Sequence, residues 1–398
     1  MITTLNILMA VIAVVLLTPV TIVCLEVLAA MLPRLRMRED PSTPRPKVAV
    51  LIPAHNESGV IEKTLKSVMP QLLPGERLIV VADNCSDDTA SICRAKGAEA
   101  IERVNTDLRG KGYALDFGVK HLAADPPAVV VILDADVTVR TGAIDRLARQ
   151  AQATGCPAQG VYLLAEPPSA DGKDVVSHLA FVVRNHVRPL GLSRLSGPCP
   201  LFGAGMGFPY ELIKDAPLAS GNIVEDIALA LDLAIDGRAP RLCSEAFIDG
   251  QLPKADDAAS KQRKRWEHGH LRTILTQVPR TFFAGLLKLR KNAMLLALDI
   301  LVPPLSLLVF LIVIAAVVMW PVALLTRTTL WPAAALSSGL ALLVLVLTLA
   351  WTRFSPHDRS LTPLLSVPGY MLRKLPMYFQ FFSNRGEKRW VRTERDGQ

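Results

Sequence analysis

This 398-residue chain has no close cysteine pairs. Its six cysteines, Cys24, Cys85, Cys93, Cys156, Cys199 and Cys243, show neither a disulfide-framework spacing nor a His/Cys cluster with zinc spacing. That excludes a cystine-stapled scaffold and a zinc module, and reads as reduced thiols in a cytosolic domain. Aromatic residues are few, 6% of the chain, and aromatic-interleaved basic motifs are missing, so nucleic acid is not expected as a partner. The leading MITTLN carries no basic side chain. With the long apolar stretch behind it, that argues against a cleaved signal peptide.

What the chain does have is apolar sequence. Hydrophobic residues make up 51% and mean hydropathy is +0.33, too apolar for an ordinary soluble enzyme, so membrane segments are expected. The net charge of +8 is concentrated beside the apolar segments, which points to lipid and to anionic substrates. Leu5 to Leu32 is long enough to span a bilayer. Arg34, Arg36 and Arg38 follow it, placing that end in the cytoplasm and the amino terminus outside. Glu26, near the inner end, is expected to reach headgroups or water. Leu295 to Leu325, interrupted by Asp299, Pro303 and Pro304, and Leu330 to Trp351 read as two further spans, and basic residues return in the tail. The expected organisation is a transmembrane helix over 1–33, a cytosolic domain over 47–280, two transmembrane helices within 286–353, and a basic interfacial tail over 354–398. Within the tail, Tyr370 to Phe382 suits an amphipathic helix lying along the interface.

Between the spans the pattern becomes α/β. Val48–Ile52, Leu78–Val81, Ala98–Ile101 and Val129–Leu133 read as short buried strands. Amphipathic stretches at Val60–Val68, Asp88–Lys96 and Tyr113–Leu122 lie between them, which predicts a mostly parallel sheet with helices on both faces. Ligands of such sheets bind beyond the carboxyl ends of the strands. The first strand leads to Ala54, His55, Asn56 and Glu57; the second to Asp83, Asn84, Ser86, Asp87 and Asp88; the fourth to Asp134 and Asp136. Asn56 and Ser86 suit helix N-caps, and Asp87 and Asp88 suit a first helical turn. Asp83 ends its strand ahead of any helix, so capping explains it less well. Asp134 and Asp136 read either as caps or as a corner for Mg²⁺ or Mn²⁺, which take few protein carboxylates and fill their remaining positions with water and phosphate oxygens. Arg109, Gly110, Lys111 and Gly112 precede a helix and offer a cation and backbone N–H groups to a phosphate; a flexible basic loop explains them nearly as well.

VLIPAHNE, VVADNCSDDT, RGKGYAL and ILDADV, in that order and spacing, resemble the donor half of a family 2 glycosyltransferase with the GT-A fold. GNIVEDIALAL and KQRKRWEHGHL extend the resemblance over about Val48 to Leu271. It implies that Ala54, Glu57 and Asp83 line the nucleotide pocket, that Lys111 and Asp134 contact the donor, and that Asp136 is the principal metal ligand with Asp134 nearby. Ala82 and Asn84 depart from the acids or glycine common in relatives, which bears on base selectivity.

Three further segments carry weight. Val175 to Val187 is expected as a helix under the site, with His178 and His186 structural. FGAGMGF (202–208) is not a dinucleotide loop, since it does not open a helix after a strand; in the family this position resembles the loop beneath the acceptor. Glu225 and Asp226 open a periodic helix, where the dipole favours acids whatever the function. Inverting transfer also needs a general base, and the pair resembles the family's base motif, with Asp226 as base and Glu225 in support. Gln262, Arg265 and Trp266 match the QxxRW pattern of membrane-embedded synthases, suited to sugar hydroxyls, the leaving diphosphate and a pyranose face. Arg263, Lys264 and Lys261 suit an interfacial basic helix, and His268 and His270 are expected to be structural.

The resemblance thus implies a bacterial inner-membrane, multi-pass enzyme with its catalytic domain in the cytoplasm. It would take a UDP-sugar and Mg²⁺ or Mn²⁺ and transfer to a growing polysaccharide or a lipid-linked glycan, with separate export proteins as further partners. A single addition to a lipid-linked acceptor, and a catalytically silent scaffold, are the alternatives.

Overall fold

The computed structural model describes residues 2–33, 44–164, 172–219, 224–251, 256–354 and 366–383. The basic residues Arg34, Arg36, Arg38, Lys388, Arg389, Arg392 and Arg395 lie outside that set.

Among the described residues, eight strands form one mixed sheet: β1 (Val48–Ala54), β2 (Arg77–Asp83), β3 (Glu99–Arg103), β4 (Val129–Ile132), β5 (Val137–Val139), β6 (Ala158–Leu164), β7 (Met206–Pro209) and β8 (Arg241–Gly250). Their spatial order is β3-β2-β1-β4-β7-β6-β8-β5. The first four strands run parallel, with Leu51 of β1 opposite Ile79 and Ile132. Strand β7 then enters antiparallel to β4, β6 pairs parallel with β8, and β5 closes the far edge antiparallel to β8. All four expected strands are present.

Strand β1 shows why the run reads as continuous apolar sequence. Val48, Val50 and Ile52 face one layer, with Ile61, Leu65 and Leu147 from helices on that side. Ala49 and Leu51 face the other, against Leu115, Ile227 and Leu296. A strand covered on both faces needs apolar residues at every position, because no side chain escapes to water. Truncating Leu51 would cost about 2–5 kcal/mol in such a site.

Helices Ile2–Ala30, Leu305–Thr326 and Trp331–Phe354 are long and apolar enough to cross a membrane. They pack on one another through Val20, Leu308 and Leu343, while Val15, Val317, Leu325 and Leu345 remain exposed on their outer sides. A continuous apolar outer surface of this kind suits lipid rather than water. The stretch expected as a span from Leu295 to Leu325 divides at Pro303 and Pro304. A separate helix, Lys291–Leu301, ends there and presses Ala293, Leu296 and Ile300 onto the sheet domain, and the longer helix begins at Leu305. The physical reason is that a proline lacks the N–H and the freedom a helix interior requires.

The spans are tied to the sheet domain by buried charge. Arg188 Nε donates to Glu26 Oε2 at 2.6 Å and its Nη2 donates to Asp299 Oδ1 at 2.7 Å. Glu26 therefore meets a guanidinium rather than headgroups or water. Beside it, Gly191 lies against the first span so closely that a Cβ there would stand 1.7 Å from the Glu26 carbonyl oxygen.

Candidate active site

Local structure places the β4 acids. After Ile132 the chain leaves the sheet, turns at Asp134, Ala135 and Asp136, and re-enters it at Val137. Both acids are half-buried. Thr64, fully buried on helix Ile61–Val68, holds this turn: its hydroxyl lies 2.8 Å from the carbonyl oxygens of both Ala135 and Val137. The two carboxylates therefore sit in a pinned turn, not at the start of a helix.

Lys111 opens helix Lys111–Leu122 and spans the site. Its Nζ donates to Asp134 Oδ1 and, at 2.8 Å, to the carbonyl oxygen of Gly203. A Cβ at Gly203, where φ is +83°, would lie 3.2 Å from Lys111 Nζ and 3.4 Å from Asp226 Oδ2. The 202–208 loop thus passes between the β4 acids and the Glu225–Asp226 pair, and only a residue without a side chain leaves that gap open. Burial works against the charge on Lys111, but Asp134, Glu225 and Asp226 outweigh it and raise its pKa. Burial and the adjacent Asp226 push Glu225 up to about 7. Asp226 is likewise raised, by burial first, against the pull of Lys111 and of the Ile227 N–H that reaches its Oδ1 at 2.8 Å.

The β1 and β2 ends form the other wall. Asp83 Oδ1 accepts from Arg103 Nη1 at 2.5 Å and from Asn84 Nδ2 at 3.1 Å, so Asp83 enters the site already paired. Ala54 closes β1 opposite Ala82, and the Glu57 N–H donates to Thr89 Oγ1 at 2.8 Å. Asn56 and Ser86 are not helix caps: the helices that follow begin at Ile61 and Thr89, behind Val60 and Asp88. Instead Asn56, in a left-handed conformation with φ of 54°, accepts from the Ser86 N–H at 2.7 Å and clips the two strand ends together. Asparagine tolerates that conformation better than most residues. Asp87 is a local organiser, accepting from the N–H groups of Ser58 and Thr89 at 3.0 and 3.1 Å. Burial would raise its pKa, yet these hydrogen bonds and the Thr89 hydroxyl hold its carboxyl well below the usual range.

Helix Asp256–Thr276 carries the QxxRW residues to the Glu225–Asp226 side. Gly269 lies against Val224, the residue before Glu225, where a Cβ would come within 2.7 Å of Val224 Cγ1. Gln262 Oε1 is buried with no hydrogen-bond partner among the described residues. Trp266 packs on Phe181 with ring centroids 6.2 Å apart and lines a separate cavity with Arg184 and Arg263. His268 and His270 bond the carbonyl oxygens of Met377 and Val302, both at 3.0 Å, and His186 packs edge-on against Phe247 and Phe354. The structure thus gathers Asp134, Lys111, Glu225 and Asp226, and seats Trp266 against Phe181 at the separate cavity.

Sequence reading missed Arg184 and Arg188. The signal was two arginines four apart, behind the apolar Leu179–Val183, which puts both charges on one face of a helix.

Among the described residues, no group of three or more His, Cys, Asp or Glu side chains gathers to hold a metal ion. Two half-buried carboxylates in a fixed turn instead fit a divalent ion that completes its shell with water and phosphate.

A sheet with parallel strands, acids beyond their carboxyl ends, and a buried lysine linking those acids to a second carboxylate pair is the architecture of a nucleotide-sugar transferase. The family model of the glycosyltransferase like family 2 matches residues 44–269, more than half of the chain. The chain belongs to that family. It is 42% identical over 101 residues to a probable glycosyltransferase, YdaM, of Bacillus subtilis, covering 23% of each chain. It is 37% identical over 112 residues to the 4,4'-diaponeurosporenoate glycosyltransferase of Staphylococcus aureus, covering 27% of this chain and 29% of that one. The match therefore spans less than a third of either relative's length. The mannosyltransferase PcManGT from Pyrobaculum calidifontis, solved with GDP-Man and Mn²⁺, superposes with a TM-score of 0.57 at 19% identity, over 95% of this chain and 100% of that one. That likeness establishes a shared GT-A fold.

Proposed function

We propose that this chain is a membrane-anchored inverting glycosyltransferase that moves a sugar from a UDP-sugar to a polysaccharide or lipid-linked glycan acceptor. Its setting is a bacterial inner membrane with the catalytic domain in the cytoplasm. The observation that carries the reading is the convergence on Gly203, where Asp134, Lys111 and Asp226 meet around a residue with no side chain.

Ala54, Glu57 and Asp83 line the nucleotide side, and Lys111 and Asp134 meet the donor. Asp136, with Asp134, would hold Mg²⁺ or Mn²⁺, a reading supported by the Mn²⁺ with which PcManGT was solved. When bound, the ion supplies positive charge to the diphosphate as it leaves. The remaining work falls to side chains. Asp226 takes the proton of the acceptor hydroxyl while that oxygen bonds the anomeric carbon and the bond to the diphosphate breaks. Glu225 keeps the pair's proton affinity high, Lys111 and Arg265 offset the charge of the departing group, and Gln262, with Trp266 behind it, orients the acceptor.

Asp226→Asn tests the assignment directly. Purified protein in nanodiscs made from a bacterial inner-membrane lipid extract, which supplies candidate acceptors, and given labelled UDP-sugars and Mn²⁺, should release UDP as the sugar is transferred. The variant should lose about 10²–10⁴-fold in kcat and retain UDP binding. Unchanged turnover would sink the base assignment, and no turnover in the parent protein with any donor would favour a silent scaffold. Sizing the product separates a polymer ladder from a single addition.

A further inference from the structure

A cavity of about 190 Å³ lies outside the donor site, between helix Gly172–Val182, helix Asp256–Thr276, the spans and helix Val367–Phe382. Its walls are apolar, with Leu179, Val183, Val309, Leu347 and Met371 among the lining side chains. Val309 and Leu347 belong to helices long and apolar enough to cross a membrane, so on the membrane-anchored reading the cavity adjoins the bilayer. Helix Val367–Phe382 forms one side. It is docked by Lys374 on Glu267, by Tyr378 donating to Glu267 Oε2 at 2.8 Å, and by the 2.6 Å contact between the Ser306 and Tyr378 hydroxyls.

The charges facing this space do not balance. Arg188 is neutralised by Glu26 and Asp299, and Lys374 by Glu267. His270 is buried, donates through Nε2 to Val302, and is kept neutral, with its pKa pushed down to about 3 chiefly by burial and by Arg184. Arg184 and Arg263 also line the cavity, and among the described residues neither has an ion-pair or hydrogen-bond partner. Two guanidiniums at the edge of an apolar space, neither directly bonded to a carboxylate among the described residues, offer paired N–H donors to a phosphate. Arg184 sits in a π-helical turn, Val183–Val187, where a local widening of the helix is often kept for function. It is also close enough to Asp226 for the two charges to act on each other, so the cavity's cationic end adjoins the candidate base.

We infer that this cavity is the acceptor's anchor site, and that its occupant is a membrane lipid whose phosphate headgroup seats on Arg184 and Arg263 while its acyl or prenyl chain fills the apolar part. The inference rests on the transferase reading and names the acceptor class. The lipid's phosphate is held by the two guanidiniums, and a hydroxyl carried on the same headgroup reaches Asp226. In the transfer step that oxygen gives its proton to Asp226 and bonds the anomeric carbon, and the diphosphate leaves with the electron pair of the broken bond. Atoms and charge balance without a further reactant.

Binding tests this without relying on turnover. The full-length protein in phosphatidylcholine nanodiscs is titrated with a fluorescent phosphatidic acid, a diacylglycerol bearing the same chains and fluorophore, and inorganic phosphate. UDP with Mn²⁺ is titrated in parallel. Phosphatidic acid should bind saturably and about tenfold or more tightly than either control, since only it offers both the chain and the anion. Arg184→Gln combined with Arg263→Gln should abolish that preference and leave UDP affinity within about twofold. Leu179→Trp, which fills the apolar part and keeps the charge, should weaken phosphatidic acid binding while the guanidiniums remain. Equal binding of diacylglycerol and phosphatidic acid, or equal phosphatidic acid binding by parent and both variants, would overturn the inference. Inorganic phosphate matching the lipid would reduce the site to a phosphate seat and overturn the lipid assignment. If UDP fails to bind while the lipid preference holds, the donor reading fails and the lipid site stands; the reverse result separates them the other way.

Discussion

Glu225 and Asp226 are adjacent carboxylates that burial makes hard to ionise together. Glu225 is pushed up to about 7 and Asp226 is raised with it, so the pair holds a proton well above the usual carboxylate range. A base must be ionised to accept a proton. The pH profile of kcat/KM should therefore fall on the acid side above the ordinary carboxylate range, with an apparent pKa that is a property of the pair rather than of either residue. An acid limb near about pH 4, where ordinary carboxylates titrate, would argue against these two as the base. The same shift bears on stability. A carboxyl whose folded pKa is raised contributes stability that is fully present below its unfolded value, about 4.3, and is lost as pH rises through about 7. Glu225→Gln should therefore raise the Tm at about pH 8 and leave it little changed at about pH 4, as thermal unfolding of detergent-solubilised protein would read.

At the scale of elements, function depends on which segments hold the acids in place. Residue types mark the β4 turn as a metal corner or a cap, and the turn itself is fixed by a hydroxyl distant in sequence, that of Thr64, beneath Ala135 and Val137. Thr64→Val preserves shape and removes the hydroxyl that lies between the Ala135 and Val137 carbonyl oxygens. The expected loss is about 1–3 kcal/mol of stability, with Mn²⁺-dependent UDP binding weakened by about 10–100-fold because the carboxylates lose their fixed orientation. Isothermal titration with and without Mn²⁺ checks this; unchanged affinity in a folded variant would show that the turn is held by other contacts. Helix Asp256–Thr276 obeys a similar logic. Its QxxRW residues come to the side of the base pair because Gly269 allows contact with Val224, and that approach is invisible in the motif itself.

At the scale of the whole molecule, the spans and the sheet domain share a buried ion cluster. Arg188 bridges Glu26 of the first span and Asp299 of helix Lys291–Leu301. Arg188→Met would leave two buried acids without their cation and should cost about 3–5 kcal/mol, lowering the Tm of the detergent-solubilised protein. Changing Glu26 to Gln and Asp299 to Asn in the same chain should recover most of that loss. If the single variant unfolds at the parent's temperature, the cluster does not hold the span to the domain.

The sequence by itself determined what local pattern can encode. Continuous apolar runs at Val48, Leu78 and Val129 require strands buried on both faces, long apolar stretches give helices of membrane-crossing length, and motif spacing brings Asp134, Lys111 and Asp226 into one reading. It also registered Pro303 and Pro304 as an interruption, but not that Lys291–Leu301 would form a separate helix packed on the sheet. Tertiary structure decided what depends on partners distant in the chain. It turned Asn56 and Ser86 from expected caps into a clip between two strands, and Glu26 from a residue near headgroups into half of an ion pair. It also opened the cavity that Arg184, Arg263 and Trp266 line together. Periodicity and spacing report only on neighbours along the chain, whereas a charge gains or loses its meaning from the group that folding sets against it.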